Sequence, residues 1–280
     1  SFQPSGLCCF LTMQLPSYNK AMTHNDIVKS LEESDKKYIW HPFTQMKDWL
    51  TEKPLIITEG RDCFIKDAYG KWYLDGVSSM WVNIHGHRKK EIDDAIKTQL
   101  EKIAHSTLLG AATVPSIELA EKIISLADNS FRELKPKLSK VFYSDNGSTA
   151  VEVALKMAFQ YWIHKGVEDR NAFLSLTNAY HGDTIGAVSV GGIDLFHKTF
   201  KPLLFNAYKA PSPYCYRCEL GRTPMGCSLA CLTEMKTILD RHASEIAAVI
   251  VEPIVQAAGG MIVWPDGYLK GVRELCNKYN

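Results

Sequence analysis

The stretch Ser144–Ala158, SDNGSTAVEVALKMA, sets five small or polar residues directly before an amphipathic run. The first backbone N–H groups of a helix have no internal partner, and the helix dipole favours negative charge there. Gly147 lets the backbone come close to an anion, and the Ser148 hydroxyl adds a hydrogen bond. A phosphate is the natural ligand for such a mouth. N-capping by Ser148 or Thr149 is the plainer alternative, and the stretch matches neither a P-loop nor the dinucleotide glycine fingerprint.

Outward from this loop the chain alternates strands and helices. SKVFYS (Ser139–Ser144) reads as a buried strand, and the helix after it carries Val151, Leu155, Ala158 and Trp162 on one face. AFLSLT (Ala172–Thr177) and AAVIVEP (Ala247–Pro253) read as two further strands. A helix between them carries Leu232, Met235 and Leu239, and another opens near Asp266. Such alternation predicts an α/β fold with a mainly parallel sheet covered on both faces, whose ligands bind beyond the carboxyl ends of the strands. Two more strand ends then matter. Tyr180, in NAYHGDT (Asn178–Thr184), offers a ring for stacking with His181 and Asp183 beside it, and Glu252 ends the third strand. Core packing is the structural alternative for the aromatic, and one carboxylate at a strand end is a weak signal by itself. Together with Gly147 and Ser148 they converge on one crevice.

The first part of the chain has a different pattern. Leu55–Gly76 alternates apolar and polar residues, with turns expected at Gly60 and Gly70, which predicts a small antiparallel meander. Ile92, Ile96, Leu100 and Ile103 form one helical stripe, and Ile117, Ala120, Ile124 and Ala127 another. Residues 1–21 have no basic region before their short apolar patch. They read as an added leader or upstream translation rather than a signal peptide, with Met22 the expected native start.

With 46% apolar and 22% charged residues and a formal net charge of +1, the 280-residue chain reads as globular, without a nucleic-acid surface. It has no apolar run long enough to span a membrane. Of eight cysteines, Cys8, Cys9, Cys63 and Cys276 are scattered and make no disulfide framework, which points to the reducing cytoplasm. The other four, Cys215, Cys218, Cys227 and Cys231, follow a C-x2-C-x8-C-x3-C spacing. The readings that stay open for them are a structural Zn²⁺ held by four thiolates, an iron–sulfur cluster as the lesser metal option, or a surface loop of free thiols.

SDNGS…AVEVALKMAFQYW, YHGDTIGAVSV and AAVIVEPIVQAAGGM together resemble the class III, fold-type I aminotransferases that use pyridoxal 5′-phosphate. WHPFTQM (Trp40–Met46) and DGVSSMWVNIHGH (Asp75–His87) narrow the resemblance to the 8-amino-7-oxononanoate aminotransferases of biotin synthesis, which make 7,8-diaminononanoate. It implies that Gly147 and Ser148 hold the phosphate, that Tyr180 packs on the pyridine ring and borders the substrate, and that Glu252 lies on the O3′ side of the ring. It places Phe43, Met80 and Trp81 against the substrate, and it implies a homodimer acting on a small-molecule amino donor and keto-amine acceptor. Many members that draw the amino group from S-adenosylmethionine carry Tyr and Trp where this chain has Phe43 and Met80. The chain therefore leans to lysine as donor. Asn146 stands where Ser is commoner, a change the loop tolerates.

The resemblance divides the chain into the leader (1–21), an N-terminal segment of the small domain with the meander (22–80), and the large cofactor-binding domain (81–280). The large domain is expected to be incomplete at its C-terminal end. The aspartate that meets the pyridine nitrogen, the lysine that links the cofactor and the carboxylate-gripping arginine belong, in the family, to sequence beyond the segment matched here. Lys156, Lys165, Lys198, Lys201 and Lys209 match none of these positions and are expected on the solvated surface. No catalytic lysine is assigned, and the chain as given is expected not to transaminate. Other readings are a related ω-amine aminotransferase acting on 4-aminobutyrate or ornithine, and a non-catalytic phosphate-binding fragment.

Overall fold

A computed structural model describes residues 23–130, 137–223 and 226–280, so the predicted leader lies outside the described residues. The chain divides into two compact units, Ser1–Ile117 and Glu118–Asn280.

In the first unit, helix α1 (His24–Tyr38) opens on a capping box between Thr23 and Asp26, and a short helix α2 (Met46–Trp49) follows. Strands β1 (Ile57–Arg61), β2 (Phe64–Asp67) and β3 (Trp72–Leu74) form the predicted antiparallel meander, in the order β1-β2-β3. Its second turn is at Gly70, where the Asp67 carboxylate accepts from Tyr69 N and Lys71 N, each at 2.9 Å. The first turn is not at Gly60, which pairs with Ile65 inside β1. Asp62, with φ 50°, and Cys63 make it instead. Helix α3 (Ser78–Trp81) is a left-handed turn, and helix α4 (Lys90–Leu100) carries the Ile92–Ile96–Leu100 stripe, with Ile103 past its end. Helix α5 (Val114–Ser130) starts in this unit, runs past its end at Ile117 and carries the second stripe.

The second unit is α/β. Helix α6 (Gly147–His164) leads to strand β4 (Ala172–Leu176), then to helices α7 (Ile185–Val190) and α8 (Asp194–His197) and strand β5 (Tyr208–Ala210). Helix α9 (Ala230–His242), strand β6 (Ile246–Val249), the β7–β8 hairpin (Val255–Gln256 and Ile262–Val263) and helix α10 (Tyr268–Tyr279) complete it. The sheet is parallel, in the order β5-β4-β6.

The alternation of β4 assigns its faces. Leu174 and Leu176 pack with Met235 and Leu239 of α9 and Tyr268 and Val272 of α10, while Phe173 packs with Leu155 of α6 and Val190 of α7. Each such side chain contributes about 1.5–3 kcal/mol on burial. Trp162 fastens α6 to the sheet by donating from its indole N–H to the Ala247 carbonyl at 2.8 Å.

Two expectations differ from what is found. Residues 139–144 form no strand, and Phe142 is 64% exposed. A strand exists through its ladder, and no described strand pairs with this stretch. Conversely, β5 went unpredicted because three residues are too short to show alternation.

Candidate functional site

The site lies at the carboxyl ends of β4 and β6, beside the mouth of α6. Asn146 caps α6: its side chain accepts from Thr149 N at 3.0 Å, and Thr149 Oγ1 accepts from Asn146 N at 3.2 Å. The cap thus falls to Asn146 and Thr149, not to Ser148. This box leaves the Gly147 and Ser148 N–H groups without a partner among the described residues, at the positive end of an 18-residue helix. A Cβ at Gly147 would meet nothing within 4 Å, and Gly147 is exposed.

The Tyr180 loop descends on the same mouth. Asp183 N donates to Ser148 Oγ at 3.2 Å, and Gly182, with φ 123°, comes so close that a Cβ there would stand 2.0 Å from Ser148 Oγ. Only glycine fits this crossing. Glu252 joins the loop to the end of β6: its carboxylate accepts from Tyr180 N at 2.9 Å and Ala257 N at 3.0 Å. The Tyr180 hydroxyl donates to Asp183 at 2.6 Å, and burial, with that carboxylate beside it, pushes the phenol up to about 12. Burial, helped by the charge of Lys209, lowers His181 to about 4, so its ring is neutral at pH 7. Behind the loop, Asn178 holds φ 57°, and a Cβ on Gly259 would lie 2.4 Å from its carbonyl.

Gly147, Ser148, Tyr180 and Glu252 are therefore linked through one loop. Phe43, Met80 and Trp81 belong to the first unit, where they are 75%, 68% and 56% exposed. Ser78, Ser79, Met80 and Trp81 all have positive φ, between 42° and 74°, a conformation that costs non-glycine residues about 1–2 kcal/mol each. Asp75 holds this turn by accepting from Ser79 N and Ser79 Oγ at 2.9 Å and facing His87 Nε2 at 2.8 Å. The backbone amide of Ser79, first among these, lowers the Asp75 carboxyl to about 2.

The zinc expectation is not supported. Cys215, Cys218, Cys227 and Cys231 line one narrow pocket as free thiols, but no set of three or more His, Cys, Asp or Glu among the described residues is placed to hold a metal ion. The physical reason is Cys231, which packs in the core with Met235 and Leu239 and whose thiol burial pushes up to about 11. Its spacing of four from each next member was the available signal, since it puts Cys231 on the buried face of α9.

Lys209 is a second correction. Lys156, Lys165, Lys198 and Lys201 are exposed as expected, but Lys209 is half-buried and donates to Ser175 Oγ at 2.7 Å, Ser189 O at 3.3 Å and Gly191 O at 2.5 Å. Gly182, Glu152 and Lys209 are the shaping residues that sequence reasoning missed.

Whether pyridoxal phosphate fits is tested by these atoms. The open amides of Gly147 and Ser148 suit a phosphate, and Tyr180 suits a flat ring. Buried polar atoms without a partner among the described residues, His181 Nε2 and Thr184 Oγ1, lie on the same loop. The residues fit the group.

The class-III aminotransferase model matches residues 46–280. The chain belongs to the class-III aminotransferases. It is 54% identical over 253 residues, 90% of this chain and 54% of the relative, to an adenosylmethionine-8-amino-7-oxononanoate aminotransferase of Geobacter sulfurreducens. The crystal structure of such an enzyme from Methanocaldococcus jannaschii matches with a TM-score of 0.80 and 47% identity, covering 90% of this chain and 53% of that one. A PLP-bound amine transaminase from an uncultivated Pseudomonas species matches at 0.78 and 36%, covering 86% and 54%. The chain thus spans about half the length of the curated relatives it matches. Its parallel α/β sheet is that of the fold-type I pyridoxal-phosphate transaminases.

Proposed function

We propose that this chain carries the cofactor seat of an 8-amino-7-oxononanoate aminotransferase, an enzyme that moves an amino group onto 8-amino-7-oxononanoate to give 7,8-diaminononanoate. One observation carries the reading: two amides at the mouth of α6, without a partner among the described residues, meet, through Ser148 Oγ, a loop that presents Tyr180 and is tied to Glu252. The names of the relatives, at 48–54% identity for several of them, support the substrate.

In this reading Gly147 and Ser148 bind the phosphate through their N–H groups and the serine hydroxyl. Tyr180 lies against the pyridine ring, and Glu252 fixes the height of the loop that carries it. Bound there, pyridoxal phosphate supplies an electron sink for breaking a Cα–H bond. Phe43, Met80, Trp81 and Tyr180 border the substrates, and no residue of this chain is assigned the covalent link to the cofactor. Lys209, whose three donor sites are taken, does not fill that role. The seat belongs to a cytoplasmic homodimer with small-molecule donor and acceptor, and the large domain runs over 81–280.

The donor is S-adenosylmethionine, as the relatives are named, or lysine, as Phe43 and Met80 favour. A site built to hydrogen-bond a donor hydroxyl discriminates differently from an apolar one. Full-length protein is assayed with 8-amino-7-oxononanoate and each donor in turn, and separately titrated with pyridoxamine 5′-phosphate. Turnover with one donor, and loss of probe binding in Ser148→Ala and Tyr180→Ala, are expected. Probe binding with turnover only on 4-aminobutyrate or ornithine would move the chain to the ω-amine aminotransferases, and no probe binding would overturn the cofactor seat.

A further inference from the structure

Helix α7 has six residues, of which Gly186–Val190 are buried. A helix this short has no stability of its own, so its ends must be held from outside. At its head, Glu152 of α6 accepts from Gly186 N at 2.7 Å and Ala187 N at 3.2 Å. A Cβ on Gly186 would stand 2.3 Å from the same carboxylate, so the two elements are in close register. At its tail, Lys209 of β5 donates to the carbonyls of Ser189 and Gly191 and, with its third donor site, to Ser175 of β4. An acid at the amino end and an ammonium at the carboxyl end both oppose the helix dipole.

The position of α7 bears on the cofactor seat because the chain enters it through Tyr180–Thr184. Glu152 lies on the helix whose first residues are Gly147 and Ser148. It therefore ties the head of α7 to the element that forms the phosphate cradle, while Lys209 ties the tail to the sheet. We propose that Glu152 and Lys209 are positioning residues, a two-ended clamp on α7 that sets the height of Tyr180 over the cradle formed by Gly147 and Ser148. Neither touches the cofactor, and the inference rests on the cofactor seat proposed above.

The test uses the full-length protein with pyridoxamine 5′-phosphate, which keeps the ring and phosphate and needs no lysine link. Affinity, the circular dichroism induced in the bound probe, and the melting temperature are measured for Lys209→Met, Lys209→Arg, Glu152→Ala and Glu152→Gln. Lys209→Met and Glu152→Ala are expected to weaken binding about tenfold each, as loss of a charge-assisted hydrogen bond does, and to change the induced dichroism. Glu152→Gln, whose amide oxygen still accepts from Gly186 and Ala187, and Lys209→Arg are expected to recover most of both. Variants that lower only the melting temperature, with affinity and dichroism as in the parent, would overturn the clamp while leaving the cofactor seat intact. A parent protein that does not take the probe would overturn the seat and the clamp with it. Glu152→Ala carries the test should Lys209→Met not fold.

Discussion

The Tyr180 loop and the Ser78–Trp81 turn both carry residues assigned to ligand contact, and they are built in opposite ways. The first is held from three sides, by Ser148, Glu252 and the Glu152 carboxylate at the head of α7, at distances between 2.7 and 3.2 Å. The second stands on four left-handed residues held by one carboxylate, Asp75, and displays Met80 and Trp81 to solvent. A seat for a permanent cofactor gains from being rigid before binding, because ordering costs are then met during folding. A turn under backbone strain stores energy that a ligand or a neighbouring surface can release. On the proposed function, the difference puts preorganisation in the cofactor seat and adaptability in the substrate wall.

The largest effect expected is at the tightest crossing. Gly182→Ala places a methyl where Ser148 Oγ and Cα stand at 2.0 and 2.9 Å, at a φ of 123° that alanine resists. Strain and overpacking together predict a loss of about 4 kcal/mol by denaturant titration, with cofactor binding abolished. Gly147→Ala sharpens the point, since its Cβ meets nothing: stability should hold while affinity for pyridoxamine 5′-phosphate falls. Equal loss of stability in both variants would mean that the loop does not rest on Ser148.

His181 gives the next effect, and its sign follows from burial. Folded, the ring titrates at about 4, and unfolded at the ordinary 6.5. Between these values the unfolded chain holds a proton that the folded one refuses. Stability therefore falls as pH drops from 6.5 toward 4, by up to about 3 kcal/mol, and is unaffected by this group above 6.5. Urea titrations at pH 7 and pH 4.5 should show the slope, and His181→Gln should flatten it.

Much of the proposed seat was legible because its devices are local. A loop of small residues before an amphipathic run marks the mouth of α6, where a phosphate is proposed, and the strand ends before Tyr180 and Glu252 mark the residues that meet beside it. What escaped depends on distant partners. Nothing around Lys209 signals burial; its environment is made by Ser175 and the tail of α7, 34 and 18 residues away in sequence. Gly182 reads as an ordinary loop glycine until Ser148 is seen beneath it. For the cysteines the metal-like spacing hid a plainer pattern, because Cys231, Met235 and Leu239 are spaced by four and form a buried helical stripe. The run 139–144 has strand composition but no ladder, and composition cannot supply one.

Glu252→Gln tests the third support of the loop. The carboxylate accepts from two amides, whereas a carboxamide accepts at one atom and points a donor at the other. The expected cost is about 2 kcal/mol, read as an affinity for pyridoxamine 5′-phosphate weakened about 30-fold. An unchanged affinity would mean that Glu252 is not needed to hold Tyr180 in place.

The smallest global effect, and the most local one, is expected at Asp75. Its carboxyl titrates at about 2 rather than 3.8, chiefly because the Ser79 amide donates to it, with His87 beside it. The folded pKa is depressed, so this support is complete above 3.8 and is lost as pH falls through 2. Asp75→Asn keeps one acceptor but not the charge, and should lower the melting temperature by no more than about 2 °C. The amide exchange of Ser79 to Trp81 should nevertheless accelerate, while that of Tyr180 to Val190 stays as in the parent. Acceleration in both segments would mean that the substrate turn and the cofactor loop are one cooperative element, and the contrast between a rigid seat and a compliant wall would fail.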